Sequence, residues 1–437
     1  MTHDVIVIGG GPAGYPAAAA SVRQGLKTLL IEAREIGGTC LNRGCIPTKS
    51  FCRSAQVALD ISRSKEFGVD IPDGDASVDL RRIVERKDEI VTQLREAVAA
   101  VVKEVELRLG RARFLSANEV EVEGETFSAP KIIVATGASP ALLPVPGAEL
   151  CDTSDTLLDE TRLPYSMAII GGGVIGMEFA SIFAAFGCEV TVIEYCKEIL
   201  PGFDRDIAKR LRSSMAKRGV KFIVNAAATE VEKTDGSLTV KYLAKNKPGE
   251  VTVEKVLMAV GRKAVIPEGL AEAGAEITRK GIAVDESFKT TVPGVYAIGD
   301  CNGICQLAHA ATAQAHRVTG GDTDLSPIPA AVFTVPEVAS TGLTEEQAVE
   351  QGIPSLKVVK IPLRSNGKAL TLGETDGLVK MLLSEDRIVG CHILGPHASD
   401  LIMEASLAMS ANLPASSLLR AIHPHPTLCE LLPSALS

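Results

Sequence analysis

An internal repeat constrains this chain more than any other feature. Residues 5–32 read VIVIGGGPAGYPAAAASVRQGLKTLLIE, and residues 168–194 read AIIGGGVIGMEFASIFAAFGCEVTVIE. Each copy runs from an apolar strand through a G-x-G-x-x-G turn into a helix of small residues. A glycine then leads into a second apolar strand ending in glutamate. The offsets coincide: Gly9, Gly25 and Glu32 correspond to Gly171, Gly187 and Glu194. In such a unit the first glycine (Gly9, Gly171) permits a tight turn, and the second (Gly11, Gly173) lets the backbone approach a pyrophosphate. The third (Gly14, Gly176) lets helix and strand pack closely. The helix N-terminus offers free N–H groups and a positive dipole end to the phosphates. The closing acid accepts hydrogen bonds from a ribose diol. One such turn alone is a weak signal. With the strand before it, the helix after it and the acid at its distance, each copy predicts a dinucleotide site, and two sites suggest a hydride relay.

The chain has 437 residues, which at roughly 150 per domain suggests about three domains. Lys plus Arg is 45 and Asp plus Glu is 54, a net charge of −9, which disfavours a nucleic-acid binder. With 46% apolar and 23% charged residues, the chain is neither disordered nor a coiled coil. Its 10 cysteines are too sparse for a disulfide scaffold. The opening Met1-Thr2-His3-Asp4 runs straight into an apolar segment, so a cytoplasmic, reducing location is expected. The weakly charged stretch 166–188 has the length of a membrane span, but its glycines and Glu178 argue against one.

Between the copies, 48–63 and 79–109 are expected to be helices. In the second, Ile83, Ile90, Leu94, Val98, Val101, Val105 and Leu109 follow helical spacing. Strands are expected at 131–136, 255–261 and 295–300. Beyond about 331 come strands at 356–362, 378–383 and 388–394, the last two forming a hairpin, and then a helix through Leu401, Ala405, Ala408 and Asn412. The fold class is therefore α/β: two Rossmann-like dinucleotide-binding domains followed by an α+β domain.

Cys40 and Cys45 lie in GGTCLNRGCIPTKS at 37–50. Spacing alone leaves three readings: a redox pair, two structural thiols, or half a metal site. No second pair completes a zinc set, since Cys301 and Cys305 stand in a different context, so no metal is expected. His425 lies in HPHPT, with Glu430 shortly after. A lone histidine is usually structural or solvated. Here two prolines fix the local backbone, and a nearby carboxylate can orient the ring and raise its basicity.

GGTCLNRGCIPTK, together with the two repeats, resembles the flavoprotein disulfide reductases, and among them the dihydrolipoamide dehydrogenases. VATGASP (134–140), TTVPGVYAIGDC (290–301), LAHA (307–310), the segments at 328–348 and 373–380, and HPHPTLCE (423–430) agree with it, so the resemblance covers nearly the whole chain. It implies an FAD-binding domain with the redox disulfide (1–140), an NAD-binding domain (141–264), a central domain completing the FAD site (265–330), and a dimerisation domain (331–437). It implies that dihydrolipoamide and NAD⁺ become lipoamide and NADH through a Cys40–Cys45 disulfide and FAD. His425 of the partner subunit would be the acid/base, with Glu430 orienting it.

The resemblance also distributes the cofactor contacts. Gly9, Gly11, Gly14, Glu32, Lys49, Ala112, Thr136, Gly137, Asp300, Leu307, Ala308 and His309 would bind FAD. Gly171, Gly173, Ile175, Gly176, Glu178, Glu194 and Gly261 would serve NAD. For Asp300 alone, a turn residue after a strand is the plainer reading. Glu194, where NADP-using relatives carry arginine nearby, favours NAD because a carboxylate repels a 2′-phosphate. The implied partners are a second copy of the chain and the lipoyl-bearing subunits of 2-oxo-acid dehydrogenase or glycine-cleavage complexes, with no nucleic acid and no membrane.

The chain departs from the family pattern at Pro16 in the first helix, at Arg262-Lys263-Ala264-Val265 in place of GRxPN, at Thr312, and at Cys429, which is expected to be inert. The alternative activity is a related NADH-dependent disulfide or metal-ion reductase. The alternative from another class is a non-catalytic flavin-binding scaffold of a complex, against which the Cys40, Cys45, His425 and Glu430 set argues.

Overall fold

The computed structural model describes residues 2–71 and 77–436. The chain divides into two compact units. One comprises Met1–Ser50, Arg82–Ala141 and Gly261–Leu325, and the other Phe51–Arg81, Leu142–Val260 and Ser326–Ser437.

The first unit is built on a five-stranded sheet in the order Val295–Ala297, Lys131–Val134, Val5–Ile8, Thr28–Glu32, Glu106–Leu109. Every pairing is parallel. Strands covered on both faces must be apolar throughout, and all four residues of Val5–Ile8 are buried. Alternation along that strand divides them between two cores. Val5 and Val7 pack with Ala17, Ala18, Ala311 and Ala315 of the helices Gly14–Arg23 and Ala308–Val318. Ile6 and Ile8 pack with Phe114, Val120 and Phe127 of a small antiparallel sheet. Alanines on both helices let them lie close to the sheet. Pro16 falls in the first turn of its helix, where a missing N–H costs little.

The expected helix at 79–109 requires correction. The helix is Leu80–Val101, and Glu106–Leu109 is the outermost strand, pairing Leu29 with Glu106 and Glu32 with Leu109. Val105 and Leu109 fit helical spacing, but Leu107 between them makes the segment alternate, and the strand period wins. The buried stripe of the helix is Leu80, Val84, Val91 and Val98, whereas Leu94 and Val101 are exposed. The turn at the departure from GRxPN is a short strand, Arg262–Ala264, paired antiparallel with Ala138–Pro140.

The second unit holds the second copy of the repeat. Its parallel sheet runs Lys221–Val224, Glu189–Glu194, Ser166–Ile170, Lys255–Met258. The stretch 166–188 is therefore strand, turn and helix, and among the described residues no helix is long and apolar enough to cross a membrane. An antiparallel three-stranded sheet, Ala226–Thr234, Ser237–Ala244 and Lys247–Val253, lies alongside. The C-terminal part is a five-stranded antiparallel sheet covered by the helix Ala398–Ser410. It includes the expected hairpin, Leu378–Ser384 with Arg387–Gly395.

A buried ionic cluster joins the C-terminal sheet to the nucleotide-binding part of this unit. Lys380 Nζ lies 2.7 Å from Asp204, 2.8 Å from Asp206 and 2.6 Å from Glu345. Asp204 caps the helix Arg205–Lys217 by accepting from Asp206 N.

Candidate active site

The two glycine turns are built alike, and steric contacts show what each glycine does. A β-carbon on Gly14 would lie 1.7 Å from Gly9 O, and one on Gly176 would lie 2.0 Å from Gly171 O. These third glycines are required by the protein's own packing. At the second glycines the protein imposes no such demand. A β-carbon on Gly173 would meet nothing within 4 Å, and one on Gly11 would find its nearest atom at 3.7 Å. The missing side chains there leave open backbone at a helix N-terminus, the cradle a pyrophosphate needs.

The acids are anchored identically. Glu32 accepts from Gly10 N at 2.6 Å and from Arg34 N at 2.8 Å. Glu194 accepts from the N–H groups of Gly172 and Cys196, both at 2.5 Å. Each carboxylate is thereby fixed at its strand end, with lone pairs left for a ribose diol. Both turns fit a dinucleotide.

The cysteine pair is set directly against the first turn. Gly37 N donates to Gly10 O at 2.8 Å, and a β-carbon on Gly38 would lie 2.6 Å from Gly11 Cα. From there a short helix, Gly38–Arg43, carries Cys40, and Gly44 breaks it. The helix Cys45–Ser62 begins at the second cysteine. Cys45 and Lys49 are one turn apart, hence on one face.

The two cysteines are present as thiols. A hydrogen bond with Cys45, reinforced by burial, pushes the Cys40 thiol far above its ordinary range, and the Lys49 ammonium opposes the shift. The shift favours the protonated form of Cys40. Cys45 has the helix N-terminus and Lys49 to favour its charge.

Other residues hold this segment without having been visible in the sequence. Asn42 donates to Ile36 O at 3.0 Å and Gly38 O at 2.9 Å, and accepts from Arg95 at 2.9 and 3.0 Å. Arg262 donates to Thr39 Oγ1 at 3.3 Å and to Ala138 O, so the strand that replaces the GRxPN turn also steadies the helix of Cys40. No spacing rule signals such long-range contacts. Tyr15 is half-buried beside Leu41 and Ile36, and burial is the main cause of the upward shift of its hydroxyl.

The remaining sequence-predicted residues of the first unit cluster by position. Gly9, Glu32, Thr136 and Asp300 all lie at or just past the carboxyl ends of parallel strands, where ligands of such sheets bind. Thr136 donates to Val265 O at 2.5 Å, and Gly137 O accepts from Val265 N at 2.9 Å. Asp300 lies in the short turn Gly299–Asn302, and burial raises its carboxyl against the pull of Arg262. Gln314 holds that turn, accepting from Gly299 N at 2.8 Å and Asn302 Nδ2 at 2.9 Å. Leu307, Ala308 and His309 form the start of the helix Ala308–Val318. Ala112 packs against the core of the small sheet.

In the second unit, Ile175 and Glu178 lie on the helix Val174–Ala185. Glu178 is buried and accepts from Phe333 N at 2.9 Å. Gly261, in the first unit, has open space where a β-carbon would stand.

His425 and Glu430 form a pair. His425 Nδ1 lies 2.9 Å from Glu430 Oε1, and Glu430 Oε2 accepts from Thr427 N at 2.8 Å. The Thr427 N–H and the His425 hydrogen bond hold the Glu430 carboxyl below its usual range, so it is an acceptor and Nδ1 is the donor. Nε2 is then the basic nitrogen of an imidazole whose side chain is 80% exposed. His423 is engaged elsewhere, with Glu404 at 2.8 Å. Cys429 is within 2.9 Å of Thr427 Oγ1.

Residues 3–315 match the family described as pyridine nucleotide-disulphide oxidoreductase, and residues 328–436 match the dimerisation domain of that family. The chain belongs to the pyridine nucleotide-disulphide oxidoreductases. It is a flavoprotein disulfide oxidoreductase that works with FAD and NAD, and its dimerisation domain supports a homodimer. Among its relatives is a dihydrolipoyl dehydrogenase of Chlamydia muridarum, 40% identical, with 98% of this chain and 95% of the relative covered. Another, from Thermus scotoductus, is also 40% identical, covering 99% and 96%. A solved structure of the HOCl-induced flavoprotein disulfide reductase RclA from Escherichia coli, in complex with Cu(II), superposes with a TM-score of 0.89. It is 29% identical, and the match covers 100% of this chain and 99% of that one.

Proposed function

We propose that the chain is a dihydrolipoyl dehydrogenase, oxidising dihydrolipoamide with NAD⁺ as acceptor. The observation that carries this reading is the Cys40/Cys45 pair set against the first glycine turn with Lys49 on the face of Cys45. Relatives of that name at 40% identity supply the substrate class. FAD belongs to the first turn, with Glu32 at its ribose, Asp300, Thr136, Ala112 and 307–309 around it, and Lys49 near its ring. NAD would belong to the second, with Glu194 at its adenosine ribose, Ile175 and Glu178 near its nicotinamide, and Gly261 lining the far side of its site.

The chain's residues act as follows. Nε2 of His425 of the partner subunit removes a proton from one substrate thiol, since a thiolate and not a thiol is the nucleophile. That sulfur attacks Cys40 of the oxidised pair, forming a mixed disulfide and releasing Cys45 as thiolate. The second substrate sulfur displaces Cys40, lipoamide leaves, and Cys40 takes the proton. Glu430 keeps Nδ1 protonated and the ring aimed. When bound, FAD supplies the two-electron relay between the dithiol and NAD⁺. The balance is dihydrolipoamide plus NAD⁺ to lipoamide, NADH and one proton. A homodimer with shared sites follows from this role for His425. The lipoyl-bearing subunits of 2-oxo-acid dehydrogenase or glycine-cleavage complexes in the cytoplasm are the partners this chemistry serves.

General acid–base help is worth roughly 10²–10⁴ in rate. His425→Gln is therefore expected to lose about that much dihydrolipoamide turnover while NADH still reduces the flavin. Near-wild-type turnover would overturn the assignment. A second reading, reduction of another disulfide by NADH, draws on the likeness to the HOCl-induced reductase. Glutathione disulfide with NADH, assayed beside dihydrolipoamide, separates the two.

A further inference from the structure

Tyr195 stands immediately after the acid of the second glycine turn, and 77% of it is exposed. The chain has 5 tyrosines and no tryptophan, so an open aromatic face is scarce. Tyr165 is also exposed, but its hydroxyl donates to Glu189 Oε1 at 3.0 Å. Tyr195 has no hydrogen bond or ring contact among the described residues.

The backbone that presents it is nevertheless fixed on every side. Cys196 N donates to Glu194, Asn225 N donates to Cys196 O at 3.0 Å, and Leu200 N donates to Gly172 O at 2.8 Å. The ring is held out from an anchored strand end and is mostly open.

The first copy provides an internal control. There Arg34 N donates to Glu32, and Gly37 N donates to Gly10 O, so the loop has the same construction. The residue in the place of Tyr195 is Ala33, also exposed. Where the first copy has a methyl group, the second has a phenol ring.

Glu194 is placed to accept from the adenosine ribose, and the base is one glycosidic bond from that ribose. A base held there lies within reach of the residue adjoining Glu194. We propose that Tyr195 is the platform on which the adenine of NAD stacks. The proposal rests on the NAD reading of the second turn. A pyridine nucleotide must enter and leave at every turnover. One open stacking face adds affinity without enclosing the ligand, which suits the second turn.

The test is calorimetric binding of ADP-ribose to the FAD-loaded protein. Removing an aromatic platform from under a base typically costs on the order of a tenfold loss of affinity. Tyr195→Ala is expected to weaken ADP-ribose by about tenfold, and Tyr195→Phe to keep wild-type affinity because it keeps the ring. Nicotinamide mononucleotide, which lacks adenine, is expected to bind wild type and Tyr195→Ala alike. ADP-ribose affinity within twofold of wild type in Tyr195→Ala overturns the platform and leaves the NAD reading standing. Wild-type protein that binds neither ADP-ribose nor NADH overturns the NAD reading and the proposal with it.

Discussion

Glu194 is a carboxylate fixed by two backbone N–H groups at the place where the adenosine ribose would lie. A 2′-phosphate there would meet like charge at short range, a repulsion worth a few kcal/mol at the effective dielectric of a protein surface. Glu194→Ala is expected to raise the KM for NAD⁺ and to cut the preference for NAD⁺ over NADP⁺ by at least about tenfold. The ratio of kcat/KM values for the two acceptors measures this, and an unchanged ratio would contradict the role. In the proposed mechanism Glu430 is the corresponding device for catalysis, held 2.9 Å from His425 Nδ1. Glu430→Gln leaves His425 Nδ1 a neutral partner, and turnover of dihydrolipoamide is expected to fall by about tenfold or more, short of the loss in His425→Gln. A variant as active as wild type would show that the carboxylate does not orient the ring. Both residues could be read from sequence because their spacing to a motif is local: Glu194 closes a strand and Glu430 follows His425 by five positions. Asn42 and Arg262 could not, because each acts on a segment far away in the chain.

Between the helix Leu80–Val101 and the strand Glu106–Leu109, the sequence carries two periods at once. Val105 and Leu109 continue the helical spacing, while Val105, Leu107 and Leu109 alternate. The open edge of Thr28–Glu32 decides between them by pairing with the second pattern. Lys380 is another contact that no local pattern shows. Its ammonium is 1% exposed and Asp204 is fully buried, so removing the lysine strands a carboxylate in the interior. Breaking a buried pair in this way costs on the order of 3–5 kcal/mol. Lys380→Met is expected to lower the urea midpoint accordingly, and a midpoint within a few tenths of a molar of wild type would contradict it. Asp206, bonded to Lys360 and Lys380, has its carboxyl lowered by those ammonium groups, against the effect of burial, from the ordinary 3.8 to about 2. Between those values the unfolded chain binds the proton and the folded chain does not, so stability rises with pH across that window. The contribution is complete above about 4 and lost as pH falls through about 2. Asp206→Asn is expected to flatten the pH dependence of unfolding in that range. An unaltered slope would show that the cluster does not couple folding to protons there.

Across the whole molecule, the repeat made both nucleotide-binding sheets legible, because strand, glycine turn, helix and acid recur at fixed offsets. The antiparallel sheet at 226–253 was not legible, since its mixed polar strands lack a clean alternation. The cysteine pair became specific only through its surrounding string, and its placement against Gly10 and Gly11 emerges from the fold. The proposal that His425 of the partner subunit completes the site makes a prediction that no single subunit can imitate. Co-refolding Cys40→Ser with His425→Gln chains should restore activity, because a mixed dimer keeps one intact site. Failure to recover any activity from mixed dimers would place His425 and Cys40 in the same subunit's site.

The most direct measurement is anaerobic steady-state oxidation of dihydrolipoamide by the purified, FAD-loaded protein, with NAD⁺ or NADP⁺ as acceptor and Cys40→Ser alongside. The account predicts fast NADH formation with wild type, little NADPH, and none of either from Cys40→Ser. Flavin that NADH reduces readily, in a protein that leaves dihydrolipoamide untouched, would contradict it and assign the Cys40/Cys45 pair to a different disulfide.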